Sequence, residues 1–315
     1  MSEQQRPIGS GFDNRSTATD VIDGLDLTGT TAVVTGGYSG IGLETTRALA
    51  RAGATVIVPA RRPDLARKHL EGIDGAEVDD LDLADPDSVR TFAERRIADG
   101  RRIDVLVNSA GVMACPETRT PQGWELQFAV NHLGHYALVN RLMPVLAGAR
   151  VVSVSSVGHR QSAIRWDDPH FATEYDRGLA YGQSKTANAL FAVELDRLAR
   201  GAGIRAFTLH PGAILTPLQR HFSEAEQREI GWIDEHGRPP AHFKTPEQGA
   251  ATQTWAAVSP QLDGRGGVYL EDCEVAAVNP DPGPGPGVRP HAVDPDEAKR
   301  LWAFSAELTG VNAFA

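Results

Sequence analysis

Short runs rich in β-branched and apolar residues recur along this chain, separated by longer stretches whose apolar residues return every three or four positions. The runs at 31–35, 55–58, 103–108, 150–155, 204–209 and 267–270 predict strands, and the stretches at 44–52, 63–70, 124–146 and 180–200 predict helices. Alternation of the two predicts an α/β fold with helices on both faces of a parallel sheet. We expect one doubly wound sheet of about seven strands in a single domain over 28–315, preceded by a polar leader at 1–27 that is only loosely ordered.

Three segments break the rhythm. Residues 157–180 and 212–246 interrupt strand-to-helix steps and are expected to be insertions that bind substrate. Residues 280–290 run Pro-Asp-Pro-Gly-Pro-Gly-Pro-Gly before Val288 and can form neither helix nor sheet, so they read as a loop.

Directly after the first strand stands Thr35-Gly36-Gly37-Tyr38-Ser39-Gly40-Ile41-Gly42, which opens into a helix. Glycines there allow a tight turn and close approach of backbone to a pyrophosphate, while the helix N-terminus offers free N–H groups and positive partial charge. At the end of the second strand the sequence is Val58-Pro59-Ala60-Arg61-Arg62, with no acidic residue to take the hydroxyls of a ribose. A guanidinium suits a 2'-phosphate instead, so NADP(H) is the expected cofactor through Arg61, with NAD(H) the weaker option.

Composition narrows the class further. A formal charge of -10 repels phosphate backbones and excludes nucleic acid as an expected partner. Two cysteines, Cys115 and Cys273, form no metal or disulfide pattern, and a reduced cytoplasmic setting is expected. No apolar run is long enough for a membrane anchor or signal segment. Lysine occurs only four times among 31 basic residues, an arginine bias that suggests a bacterial source. His132 and His135 share a helical face, but no third ligand lies near them in the sequence and no metal is expected.

Tyr181-Gly-Gln-Ser-Lys185 opens a long helix, and this YxxxK spacing together with the glycine turn resembles the short-chain dehydrogenase/reductase (SDR) family. Asn108-Ser-Ala-Gly111 matches the family's NNAG apart from one serine, Asn131 its active-site asparagine, Ser155-Ser156 its strand-end serine, and Pro211-Gly212-Ala-Ile-Leu-Thr216 the turn after its sixth strand. The long step from Ser156 to Tyr181 and the Asn131-His-Leu-Gly-His135 motif are similar to the retinol dehydrogenase-like branch, whose animal members often carry a membrane anchor. The resemblance implies a Rossmann-type fold and hydride transfer between nicotinamide and a carbonyl or alcohol substrate. The alternative is a catalytically idle NADP-sensing regulator or scaffold.

Carried over by motif, the catalytic residues are Asn131, Ser156, Tyr181 and Lys185. Cofactor contacts are expected from Gly36, Ser39, Gly40, Ile41, Gly42, Arg61, Asp82, Leu83, Asn108, Ala110, Gly111, Tyr181, Lys185, Pro211, Gly212, Ile214 and Thr216. A free phenol titrates near pH ~10 and is a poor base, so the ammonium of Lys185, one helical turn away, is expected to lower it. Opposite charges ~4 Å apart at an effective dielectric of ~20 are worth about 4 kcal/mol. Ser156 would donate to the substrate oxygen, and the family's use of Asn131 is to hold a water leading from the lysine to solvent. The resemblance also implies a homodimer or homotetramer joined through the long helices that carry Asn131 and Tyr181. Trp166, Phe171, Phe222 and Trp232, in the irregular regions, suit an apolar substrate or the core.

Overall fold

The computed structural model describes residues 4–283 and 285–315, so the first residues of the leader and Pro284 of the Pro/Gly loop lie outside it. Among the described residues eight strands form one sheet in the order β3-β2-β1-β4-β5-β6-β7-β8. They are β1 (Thr31–Thr35), β2 (Thr55–Ala60), β3 (Ala76–Asp80), β4 (Val105–Asn108), β5 (Arg150–Val154), β6 (Arg205–His210), β7 (Val268–Glu271) and β8 (Glu274–Val275). The first seven run parallel and β8 turns back antiparallel on β7. In the central strands side chains on both faces are buried, which is why β1 and β4 read as continuous apolar runs rather than alternations.

Two strands had no apolar run to announce them. β3 is an edge strand of sequence Ala-Glu-Val-Asp-Asp, whose carboxylates pair outward: Glu77 with Arg101, and Asp79 with Arg95 and Arg96. β8 is only two residues long.

Helices α1 (Ala18–Ile22), α2 (Gly40–Arg51), α3 (Pro63–His69), α4 (Pro86–Asp99), α5 (Leu126–Phe128), α6 (Gly134–Leu142), α7 (Arg177–Ala199), α8 (Glu224–Glu229), α9 (Pro246–Val258) and α10 (Pro295–Thr309) surround the sheet. The single helix expected at 124–146 is divided. A π-turn at Ala129–Leu133 separates α5 from α6, and a 3-10 turn with Pro144 ends the run. Gly134 fits just after the π-turn because a Cβ there would stand 2.3 Å from the Leu83 carbonyl.

The leading segment is docked rather than loose over its described residues. Gln5 is buried and its side-chain amide donates to the carbonyls of Tyr269 and Ala276, while its own carbonyl oxygen accepts from Tyr269 N–H. Glu274 accepts from the N–H groups of Ile8, Gly9 and Ser10, and Ala18 and Ile22 of α1 pack on Ala250 of α9. Polar residues here satisfy the backbone at the β7–β8 edge, so their polarity does not mean disorder.

α10 lies on α6 and α7. Trp302 stacks on Phe191 at 5.7 Å and meets Tyr136 edge-on at 4.9 Å, and Leu301 and Ala298 join the cluster that holds Phe128, Leu133 and Leu190. The C-terminal helix thus covers the apolar side chains of Tyr136 and Phe191 on the two long helices.

Candidate active site

Every parallel strand of the central sheet ends on the same side, and one cavity of about 490 Å³ follows those ends. Its wall begins at the glycine turn. Gly36 has φ +68, and a Cβ there would stand 2.9 Å from Ala110 Cα; a Cβ on Gly42 would stand 2.5 Å from the Gly36 carbonyl. No residue with a side chain fits either position. Ser39, the N-cap of α2, makes no capping bond with its side chain among the described residues, so that side chain leaves the first-turn N–H groups unclaimed. Arg61 and Arg62 follow β2 at the cavity wall, both exposed and without an ion pair among the described residues.

At the other end stand Ser156, Tyr181 and Lys185, all lining the same space. Ser156 caps the 3-10 turn Val157–Arg160 in extended geometry, and its Oγ accepts the Gly158 N–H at 3.1 Å. Its hydroxyl proton is thereby left for another acceptor. Gly158 also lets the Tyr181 ring lie close, since a Cβ would stand 3.1 Å from two ring carbons.

Tyr181 and Lys185 are one turn apart on α7, with the Lys185 Nζ 5.5 Å from the Tyr181 ring centroid. That ammonium donates to the Val154 carbonyl at 3.0 Å. Burial pushes the phenol up to about 12, partly offset by its hydrogen bond with Ser156, and burial brings Lys185 down to about 8. This is opposite to the lowering that the one-turn spacing from Lys185 predicts for the phenol. In the folded chain both groups lose water, and the ammonium bonds to a carbonyl rather than to the phenol oxygen.

Not every residue carried over by motif reaches the cavity. Gly36, Ser39, Gly40, Ile41, Gly42, Arg61, Asp82, Leu83, Ala110, Gly111, Pro211, Gly212, Ile214 and Thr216 line it, whereas Asn108 and Asn131 do not. Asn108 is buried behind the wall, with Nδ2 on Ser153 Oγ at 3.3 Å and Oδ1 without a hydrogen-bond partner among the described residues. Asn131, on the π-turn, holds Val112 from both sides: Oδ1 accepts Val112 N–H at 2.8 Å and Nδ2 donates to Val112 O at 2.9 Å and to Ser184 Oγ at 2.9 Å. Its placement is that of a support for the wall segment 110–113, which follows β4. Asp82 lines the cavity, but one of its oxygens accepts the Ala84 N–H; the cap of α4 is Asp85. Ser155 donates to the Lys185 carbonyl at 2.7 Å and fixes α7 against β5.

His132 and His135 part company. His132 Nε2 meets Ser305 Oγ at 2.7 Å, and His135 bridges the Asn131 carbonyl at 3.0 Å and Thr35 Oγ1 at 2.9 Å. Thr35 Oγ1 in turn accepts the N–H groups of Ser109 and Ala110, so His135 joins the glycine-turn strand to the Asn131 turn. Burial holds His135 down to about 4, and it remains neutral. The sequence signal for this link was its i, i+4 spacing from Asn131.

Of the two expected insertions, 212–246 contributes Leu218, Arg220, Trp232 and Phe243 to the wall, and 157–180 contributes Val157. Phe222 and Trp232 pack edge-on at 4.9 Å and, with Leu218, lie against Met113 and Tyr181. Phe171 is instead core, and Trp166 packs on Phe304 and under Arg300.

A doubly wound sheet whose strand ends carry one groove, running from a helix-opening glycine turn to a phenol with an ammonium a turn below it, is the architecture of a dinucleotide-dependent oxidoreductase. Residues 30–227 match the model of the short chain dehydrogenase family. The chain belongs to that family, whose members use nicotinamide cofactors. It is 46% identical over 296 residues to a Streptomyces lividans protein named "Probable oxidoreductase", covering 90% of this chain and 98% of the relative. It is 36% identical over 296 residues to human retinol dehydrogenase 11, covering 91% of this chain and 88% of that protein. Among solved structures, an uncharacterised protein from Mycobacterium Paratuberculosis superposes with a TM-score of 0.73 at 35% identity, covering 96% of this chain and 99% of that one. Among the described residues no helix is long and apolar enough to cross a membrane.

Proposed function

We propose that this chain is an NADP(H)-dependent reductase or dehydrogenase acting on an apolar carbonyl or alcohol in the cytoplasm. The observation that carries this reading is that Ser156, Tyr181 and Lys185 line the same cavity as the glycine turn and Arg61. The glycine turn with the α2 N-terminus suits a pyrophosphate, and the free guanidinium of Arg61 suits a 2'-phosphate. A bound nicotinamide supplies or accepts the hydride. The chain's own groups handle the proton and the oxygen: Ser156 donates a hydrogen bond to the substrate oxygen, and Tyr181, protonated at neutral pH, gives that oxygen its proton during reduction. Lys185 provides positive charge beneath the reacting groups. Leu218, Phe222, Trp232 and Met113 form an apolar wall beside the phenol, which favours hydrophobic aldehydes, ketones or quinones.

The test is NADPH oxidation over a panel of hydrophobic aldehydes, cyclic ketones and quinones, repeated with NADH. Turnover with NADPH is expected, and Arg61→Ala should raise the KM for NADPH by about 10- to 100-fold, the worth of one charge-assisted contact, with little change for NADH. Equal efficiency with both cofactors in the parent would remove the NADP assignment.

A further inference from the structure

The cavity leaves the Pro/Gly loop unused, yet that loop is wired to the back of the catalytic serine. We infer that His159 is a positioning residue for Ser156, held in one tautomer by the chain at Val288–Arg289. The inference rests on the function proposed above.

His159 is fully buried. Its Nε2 faces the backbone N–H of Arg289 at 3.1 Å, and a backbone N–H can only donate, so Nε2 is the acceptor. The ring proton is therefore on Nδ1, which lies 2.6 Å from the Ser156 carbonyl. The Tyr269 hydroxyl adds a bond to the same carbonyl at 3.3 Å and lies 3.2 Å from Nδ1. Ser156 is thus gripped at its carbonyl by two side chains, while its neighbour Val157 donates to His210 Nδ1 at 3.0 Å. The Ser156 carbonyl carbon is bonded to the same Cα that carries the hydroxymethyl group, so holding that carbonyl fixes the backbone from which the hydroxyl projects, in the extended conformation of the cap.

The loop end that fixes His159 is itself fixed. Val288 is fully buried and Arg289 nearly so. The Arg289 guanidinium donates to the carbonyls of Asn279 and Gly283, closing the Pro/Gly loop from its inside, and Arg160 donates to Gly287 O at 2.8 Å. The Gly287 N–H reaches Glu271 at 2.7 Å. Three arms, from β7, from the 3-10 turn and from the loop itself, hold the one N–H that decides the His159 tautomer.

Asparagine can place an amide where Nδ1 stands, and glutamine can place one where Nε2 stands, so two variants separate the two halves of the ring's work. His159→Asn keeps the donor toward Ser156 and is expected to hold kcat within about threefold of the parent, whereas His159→Gln and His159→Ala lose it and should drop kcat by about 10- to 100-fold, the scale of an ångström-sized misplacement. Tyr269→Phe, which preserves volume, should fall between. In all four the dissociation constant for NADPH should stay near the parent value; the melting temperature should fall most in His159→Ala, which empties a buried site, and similarly in the Asn and Gln variants, so that stability cannot account for a difference in kcat between those two. Amide exchange at Arg289 should rise in His159→Asn and stay protected in His159→Gln. The inference is overturned if His159→Ala keeps the parent kcat, or if Asn and Gln variants lose activity equally and in step with NADPH binding and melting temperature. If the parent turns over no carbonyl substrate, the proposed function fails and takes the inference with it. If the parent turns over and only the His159 series is flat, the inference alone fails.

Discussion

Tyr181 sits in a pocket that keeps its phenol protonated, and the direction of that shift has a kinetic consequence. With the phenol pushed up to about 12 and Lys185 brought down to about 8, the folded chain at neutral pH carries a proton donor above an ammonium. Carbonyl reduction consumes the proton of the phenol and needs that protonated state; alcohol oxidation needs the phenol deprotonated. The kcat/KM for reduction is accordingly expected to be highest below pH 8 and to fall as Lys185 loses its proton above it, while the oxidative direction gains with rising pH. Profiles in both directions on one substrate pair check this, and a reductive rate that climbs through pH 8 to 9 would contradict it. The residue types and their spacing were legible in the sequence. The pKa direction was not, because it depends on burial and on the Val154 carbonyl that takes the lysine's hydrogen bond, neither of which spacing reveals.

At the scale of elements, the strand–turn–helix at 31–51 was readable because its glycines are required by contacts within the turn itself. Gly42→Ala places a methyl carbon on the Gly36 carbonyl. That variant is expected to lose NADPH affinity by at least about tenfold, since a shifted turn misaligns several N–H groups at once, each worth about 1 kcal/mol. Fluorescence titration of NADPH with circular dichroism as the control for folding measures it; unchanged affinity in a folded variant would show that the turn does not cradle the phosphates. Elements set by distant partners were less legible. The helix around Asn131 splits at a π-turn whose side chain engages Val112, and β3 carries edge carboxylates matched to arginines from α4 and beyond. Such features record tertiary pairing rather than local periodicity.

For the whole molecule, the C-terminal helix is the feature that periodicity could not place. α10 buries Trp302 between Phe191 and Tyr136, so the apolar faces of α6 and α7 are covered within one chain. Trp302→Ala is expected to cost about 3–5 kcal/mol of stability, typical of emptying a large aromatic site. Denaturant unfolding measures the loss, and light scattering should show the variant self-associating more than the parent through the loosened face. A variant as stable and as dispersed as the parent would show that α10 is not a structural cover. The leading segment teaches a similar lesson: Gln5 looks like a residue of a solvated leader until the β7–β8 carbonyls of Tyr269 and Ala276 are there to receive it.

In the proposed function Tyr181 is the group that passes the proton to and from the substrate oxygen. Tyr181→Phe removes one oxygen atom and leaves the ring, so the most direct test is its single-turnover rate with pre-bound NADPH, alongside NADPH titration. We expect NADPH affinity within about twofold of the parent and a chemical step slower by about 10²- to 10⁴-fold, the usual worth of a positioned general acid. A phenylalanine variant that binds NADPH and turns over at the parent rate would contradict the assignment.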